Sequence, residues 1–145
     1  MNQQNYQSSI VADFTPREAF DGINRVNEWW AKNIDASTKK LNDVFTVNFS
    51  NGTYVTFKIT ESVPDKKVAW HVTDCYLPWL NDKTEWTGTT VVFDIGLLAD
   101  ETHVTMTHVG LVPEVECYAG CEAGWNKYFK GSLFSLLTEH AGVPQ

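Results

Sequence analysis

The sequence predicts an α+β fold in which one curved, six-stranded antiparallel sheet wraps around a long C-terminal helix, with two short helices near the N-terminus. Three observations point there. Trp29-Trp30 closes an early stretch of helical periodicity, and Gly124-Trp125 lies early in a second one. Between them the chain alternates apolar and polar residues at the strand period. The alternating segments follow one another through connections too short for helical crossovers, which selects an antiparallel meander over any parallel arrangement.

Each element has its own signal. Tyr6 to Phe14 alternates loosely as a first strand. Thr15-Pro16 then starts a helix: Thr15 caps, Pro16 takes the first helical position, and Glu18 supplies the acid of a capping box. From Pro16 toward Lys32, residues Ala19, Phe20, Ile23, Val26, Trp29 and Trp30 recur at three- and four-residue steps. Gly22 and Asn24 are the points where this stretch can break in two. Val44 to Phe49 presents Phe45, Val47 and Phe49 on one face. Ser50-Asn51-Gly52 then supplies a tight turn into Thr53 to Glu61, where Val55, Phe57 and Ile59 alternate with polar residues. After Pro64-Asp65, Val68, Trp70 and Val72 form the apolar face of the next strand. Thr89 to Leu97 and Thr102 to Val109 complete the sheet around the turn Ala99-Asp100-Glu101.

The last helix, Cys117 to about Glu139, carries Tyr118, Cys121, Trp125, Tyr128, Phe129, Ser132, Leu133 and Leu136 on one broad face. That face must lie on the sheet. Gly120, Gly124 and Gly131 accompany it, each costing about 1 kcal/mol relative to alanine inside a helix. They mark close backbone approach, room for a ligand, or a helix that starts later than Cys117.

Composition limits what the chain does. Its 145 residues suit one domain, with enough core to need no cofactor or disulfide framework. With 18 acidic against 11 basic residues the net charge is −7, which repels nucleic-acid phosphates and anionic lipid headgroups. No apolar run approaches the ~20 residues that span a bilayer, and Met1 to Ser9 lacks the basic and apolar regions of a signal peptide, so a cytoplasmic location is expected. Cys75, Cys117 and Cys121 are an odd set, read most simply as reduced thiols. Cys117 and Cys121 stand four apart, a spacing a metal site can also use. No pattern supplies further ligands, so no metal is expected. Phosphate loops, nucleophile elbows and zinc-protease helices are lacking, and no catalytic residue is assigned.

Read together, the order of motifs resembles a known superfamily. A strand is followed by Thr-Pro-Arg-Glu-Ala-Phe (15 to 20), Glu-Trp-Trp (28 to 30), Lys67-Val68-Ala69-Trp70, Gly88 to Phe93, Thr102 to His108 and Gly124-Trp125. From about Tyr6 to Glu139 the chain is similar to the START-like, helix-grip superfamily, in the branch of the C-terminal domain of activators of the ninety-kilodalton heat-shock chaperone ATPase. One departure is Phe20, where relatives often carry Trp. The resemblance implies a hydrophobic cavity between sheet and C-terminal helix. It also implies a choice of roles known in the superfamily: a binder of lipid, sterol, hormone or polyketide, a cyclase or hydratase, or a co-chaperone. A single domain is expected here, against two in the eukaryotic activators, which sets the co-chaperone role behind the others.

Within that frame, inward parity selects Phe57, Trp70, Phe93, Val104, Met106 and His108 on the sheet, opposed by Trp125, Phe129 and Leu133, with Trp30 beside them. Such residues describe an apolar ligand site and an ordinary core equally well. His108 is either a proton-transfer or orienting group at the cavity mouth or a structural histidine satisfied by its neighbours. Asp74 to Trp86 is a connection rich in apolar residues, and Tyr76, Leu77 and Trp79 are expected to close over the cavity as a lid or to meet a second copy of the chain. The expected partner is thus a small hydrophobic molecule, bound without catalysis. A cyclase or hydratase acting through His108 and a protein-interaction domain stand as the alternatives.

Overall fold

The computed structural model describes residues 5–35, 40–49 and 52–144. The strands are β1 (Tyr6–Ala12), β2 (Asn33–Asp35), β3 (Val44–Asn48), β4 (Tyr54–Val63), β5 (Lys67–Tyr76), β6 (Thr90–Leu98) and β7 (Glu101–Val109). They form one antiparallel sheet in the order β1-β7-β6-β5-β4-β3-β2. The six expected strands are all there, and the three-residue β2 adds to the sheet beside β3. The turn expected at Ser50-Asn51-Gly52 falls mostly outside the described residues; at its edge the Phe49 amide donates to the Thr53 carbonyl.

The helical stretch after β1 breaks in two, as its glycine and asparagine allow. Helix α1 (Pro16–Asn24) begins with the expected capping box: the Glu18 amide donates to the Thr15 hydroxyl at 3.0 Å, and the Thr15 amide donates to the Glu18 carboxylate at 2.8 Å. Arg25 ends it and opens α2 (Val26–Trp29). Gly22 lets α1 close onto the C-terminal helix, because a Cβ there would stand 2.5 Å from Leu137 Cδ2. Trp29 ties the pair together, its indole N–H donating to the Ile23 carbonyl at 3.2 Å.

The C-terminal helix is composite. Helix α3 (Tyr118–Trp125) runs into a π-helical segment (Asn126–Leu133) and then α4 (Phe134–Glu139), closed by His140 in the left-handed conformation. Its buried face, Cys121, Trp125, Tyr128, Phe129, Ser132, Leu133, Leu136 and Leu137, matches the face expected from the sequence except that Tyr118 is half-buried and Leu137 joins it. Two bulges bend the sheet around it. Thr56 pairs with Asp74 and Phe57 with Val72, so Thr73 is an extra residue in β5. Thr60 is the corresponding extra residue in β4. The first bulge reverses the parity of β5 and turns Cys75 inward.

The core centres on rings. Trp70 contacts Trp29, Trp30, Phe45, Phe57 and Phe93, with the Phe93 centroid 4.8 Å away. Phe129 of the π segment meets Phe93 from the helix side. Among the described residues no helix is long and apolar enough to cross a membrane.

Candidate functional site

A cavity of about 260 Å³ lies where α3 faces one end of the sheet. It lies beside the facing ends of β3 and β4 and the loop joining β5 to β6. Phe49, Thr53 and Val55 come from the β3–β4 end, and Leu77, Trp79 and Trp86 from the loop. Trp30 follows α2; Gly120, Cys121, Gly124, Trp125 and Tyr128 come from the C-terminal helix. None of these carries a carboxylate, amine or imidazole, so the lining is uncharged and mostly apolar, with the Thr53 and Tyr128 side chains as its hydroxyl-bearing members.

The glycines create the space. A Cβ at Gly120 or at Gly124 would meet no atom within 4 Å, so neither glycine serves close packing. Gly124 sits in the interior of α3, where glycine costs about 1 kcal/mol relative to alanine, and Gly120 lies exposed in its first turn. The helix therefore gives up stability at Gly124, and with Gly120 four residues away on the same face the structural return is empty volume.

The two tryptophan signatures meet at this cavity. Trp30 and Trp125, far apart in sequence, have ring centroids 4.8 Å apart, and both line it. Trp86 stacks on Trp125 at 5.9 Å with planes 10° apart. Of the other residues expected at the site, Leu77 and Trp79 join the lining. Phe57, Trp70, Phe93, Met106 and Phe129 do not: all are fully buried in the central core. The physical reason is position along the strands. Inward parity is shared by the middle and the end of the sheet, and in the middle the helix fills the space. Phe49, Thr53, Val55, Trp86, Cys121 and Tyr128 were not expected in the lining. The Gly120/Gly124 spacing was the available signal for which end stays open.

His108 is also placed differently from the proton-transfer reading, which put it at the cavity mouth. It is 0% exposed and lies outside the lining, touching Trp86 edge-on at 4.6 Å and Trp125 at 6.0 Å. Both ring nitrogens are used. The Trp125 indole N–H donates to Nδ1 at 3.0 Å, and Nε2 lies 2.9 Å from the Thr89 hydroxyl oxygen. Thr89 spends its own proton on the Trp86 carbonyl at 2.6 Å. Nε2 must therefore carry the imidazole proton, and the ring is neutral. Burial pushes its pKa down to about 3. The histidine acts as a bracket between the C-terminal helix, the sheet and the β5–β6 loop.

That loop begins later than expected, since β5 runs through Asp74, Cys75 and Tyr76. Tyr76 lies outside the lining, stacked on Tyr54 with centroids 6.3 Å apart. Leu77, Leu80 and Trp86 are buried, whereas Trp79 is 57% exposed. Two carboxylates fasten the loop to the start of α3. Glu116 accepts from the Asn81 amide at 3.0 Å, and Glu85 accepts from the Glu116 and Cys117 amides at 2.9 Å each. Because α3 has no side-chain cap of its own, Glu85 supplies one from across the cavity rim.

Cys117 and Cys121 are joined as a disulfide with Cα atoms 5.5 Å apart, which corrects the expectation of reduced thiols. An odd cysteine count excludes a complete framework but not one pair. Four-residue spacing on a helix is short enough to bridge. Cys75 remains a buried free thiol.

No protein-family model matches the sequence, and no curated protein matches it. Solved structures do match. The Aha1 dimer from Colwellia psychrerythraea superposes with a TM-score of 0.74 at 21% identity, over 94% of this chain and 96% of that one. A Staphylococcus saprophyticus protein gives 0.72 at 12% identity, over 97% and 96%. DynU16, from the dynemicin biosynthetic locus, gives 0.69 at 15% identity, over 94% of this chain and 48% of its own. At these identities the likeness establishes the fold: the chain has the START-like, helix-grip fold that Aha1 shares.

Proposed function

We propose that this START-like chain binds a small, uncharged, ring-bearing apolar molecule in the cavity between α3 and the end of the sheet, and holds it without transforming it. The observation that carries the reading is the pair of helix glycines whose missing side chains make the space. The volume suits a molecule of roughly two or three rings, at the lower edge of ordinary ligand sites. Indole walls favour a flat partner through stacking and edge contacts. An uncharged lining offers nothing to compensate a buried ionic group. His108, sealed and doubly bonded, is not available as an acid or base, which weighs against the cyclase or hydratase reading through that residue.

Titration with the neutral fluorophore N-phenyl-1-naphthylamine tests this directly. Saturable binding with a rise in melting temperature is expected for the native chain, and Gly124→Leu should abolish both while leaving the far-ultraviolet circular dichroism unchanged. Equal binding by the Gly124→Leu protein would place the probe elsewhere and sink the proposal. A second reading concerns association. Trp79 is an exposed indole at the cavity rim, and the Colwellia structure of the same fold is a dimer. Both support a second copy of this chain as the partner that covers it.

A further inference from the structure

We infer that Cys117 and Cys121 form a thiol–disulfide exchange site that sets how firmly the cavity wall is held. The disulfide spans the first turn of α3, where the Cys121 amide donates to the Cys117 carbonyl at 2.7 Å. That turn is intrinsically weak. It contains Gly120 and runs on to Gly124, and no side chain of its own caps it. Two devices outside ordinary helix propensity hold it: the sulfur bridge and the Glu85 carboxylate reaching across from the loop. The glycines that open the cavity and the bridge that steadies them occupy the same eight residues.

Both sulfurs are buried, and the cavity gives the approach to one of them: Cys121, 8% exposed, lines it, whereas Cys117 is 2% exposed and does not. Cys75 is buried against the Thr87 hydroxyl and the Lys83 carbonyl and is no part of the pair. A small neutral thiol at the mouth gives up its proton to solvent there and attacks Cys121 Sγ as the thiolate. The Cys117–Cys121 bond breaks, Cys117 leaves as thiolate and takes up a proton, and a mixed disulfide forms on Cys121. A second small thiolate attacks the outer sulfur of that mixed disulfide, releasing Cys121, which is protonated in turn, and a small-molecule disulfide. Two thiols are oxidised and one protein disulfide is reduced. The reverse sequence, with a low-molecular-weight disulfide as oxidant, restores the bridge. Reduction leaves Glu85 alone to hold the turn, and the wall loosens.

The test is amide hydrogen exchange of the full chain in a Cys75→Ser background, resolved over residues 117–125. Three forms are compared: oxidised, reduced with 2-mercaptoethanol, and Cys117→Ser/Cys121→Ser. Cross-linking so short a loop implies that exchange at Cys121 to Gly124 rises about tenfold or more in the reduced and double-serine forms. Amides of Val91 and Val104 in the central strands should keep their protection, which separates a loosened wall from general unfolding. Equal exchange at 121–124 in all three forms overturns the inference. So does failure of 2-hydroxyethyl disulfide to close the two thiols, as counted by alkylation. Neither readout involves the fluorophore, so this inference and the ligand proposal fail independently.

Discussion

His108 carries a charge state fixed by its neighbours. One nitrogen accepts from an indole N–H that can only donate, so protonating that nitrogen sets two donors against each other. The folded-state pKa is about 3 and the ordinary value 6.5, so between those values the unfolded chain binds a proton the native chain does not. Stability is therefore full above pH 6.5 and declines as pH falls toward 3, with a slope of up to about 1.4 kcal/mol per pH unit from this residue. His108→Gln retains one donor and one acceptor without a titrating ring. Urea unfolding measured between pH 6.5 and pH 4 should show a shallower decline in that variant than in the native chain. An identical slope in both would assign the decline to other groups. The inward direction of His108 was legible from strand parity. Its partners were not, because Thr89 and Trp125 lie 19 and 17 residues away and only the folded topology brings them to the ring.

At the scale of elements, two glycines that look alike in sequence take opposite substitutions. Gly124 sits in α3 with open space where a side chain would be, so Gly124→Ala should stabilise the chain by up to about 1 kcal/mol. Gly110 follows β7 at φ +104°, and a Cβ there would stand 2.6 Å from Thr89 Cγ2. Gly110→Ala should destabilise by about 1–3 kcal/mol, because it strains the backbone and displaces the threonine that holds His108. Thermal denaturation of the two variants side by side checks the sign of each. The helix itself was legible from its apolar face, but the π segment inside it was not. Over eight residues a broad stripe such as Tyr128, Phe129, Ser132 and Leu133 satisfies a wider winding as well as an α-helical one. The β5 bulge was hidden for a similar reason, since one extra threonine changes parity without altering the local composition.

Across the whole molecule, the short connections specified the meander, and the amphipathic helix specified what the sheet would grip. The location of the cavity was the part that stayed hidden. Parity says which way a strand residue faces but not how far along the strand the helix stops covering it, so central core rings and rim residues read alike. The rim also bears on assembly. Trp79 leaves a large ring in water, and burying it against a second copy predicts a dimer by analytical ultracentrifugation that Trp79→Ser converts to monomer. A native chain that sediments as a monomer throughout would contradict that reading.

The gathering of indoles at one end of the sheet has an optical consequence. Four of the six tryptophans, Trp30, Trp79, Trp86 and Trp125, border the same cavity, and two of them lie nearly parallel. Chromophores that close exchange excitation and respond together to whatever displaces solvent beside them. The molecule therefore carries its own spectroscopic reporter, and occupancy of the cavity registers in its intrinsic emission and near-ultraviolet dichroism without any added label.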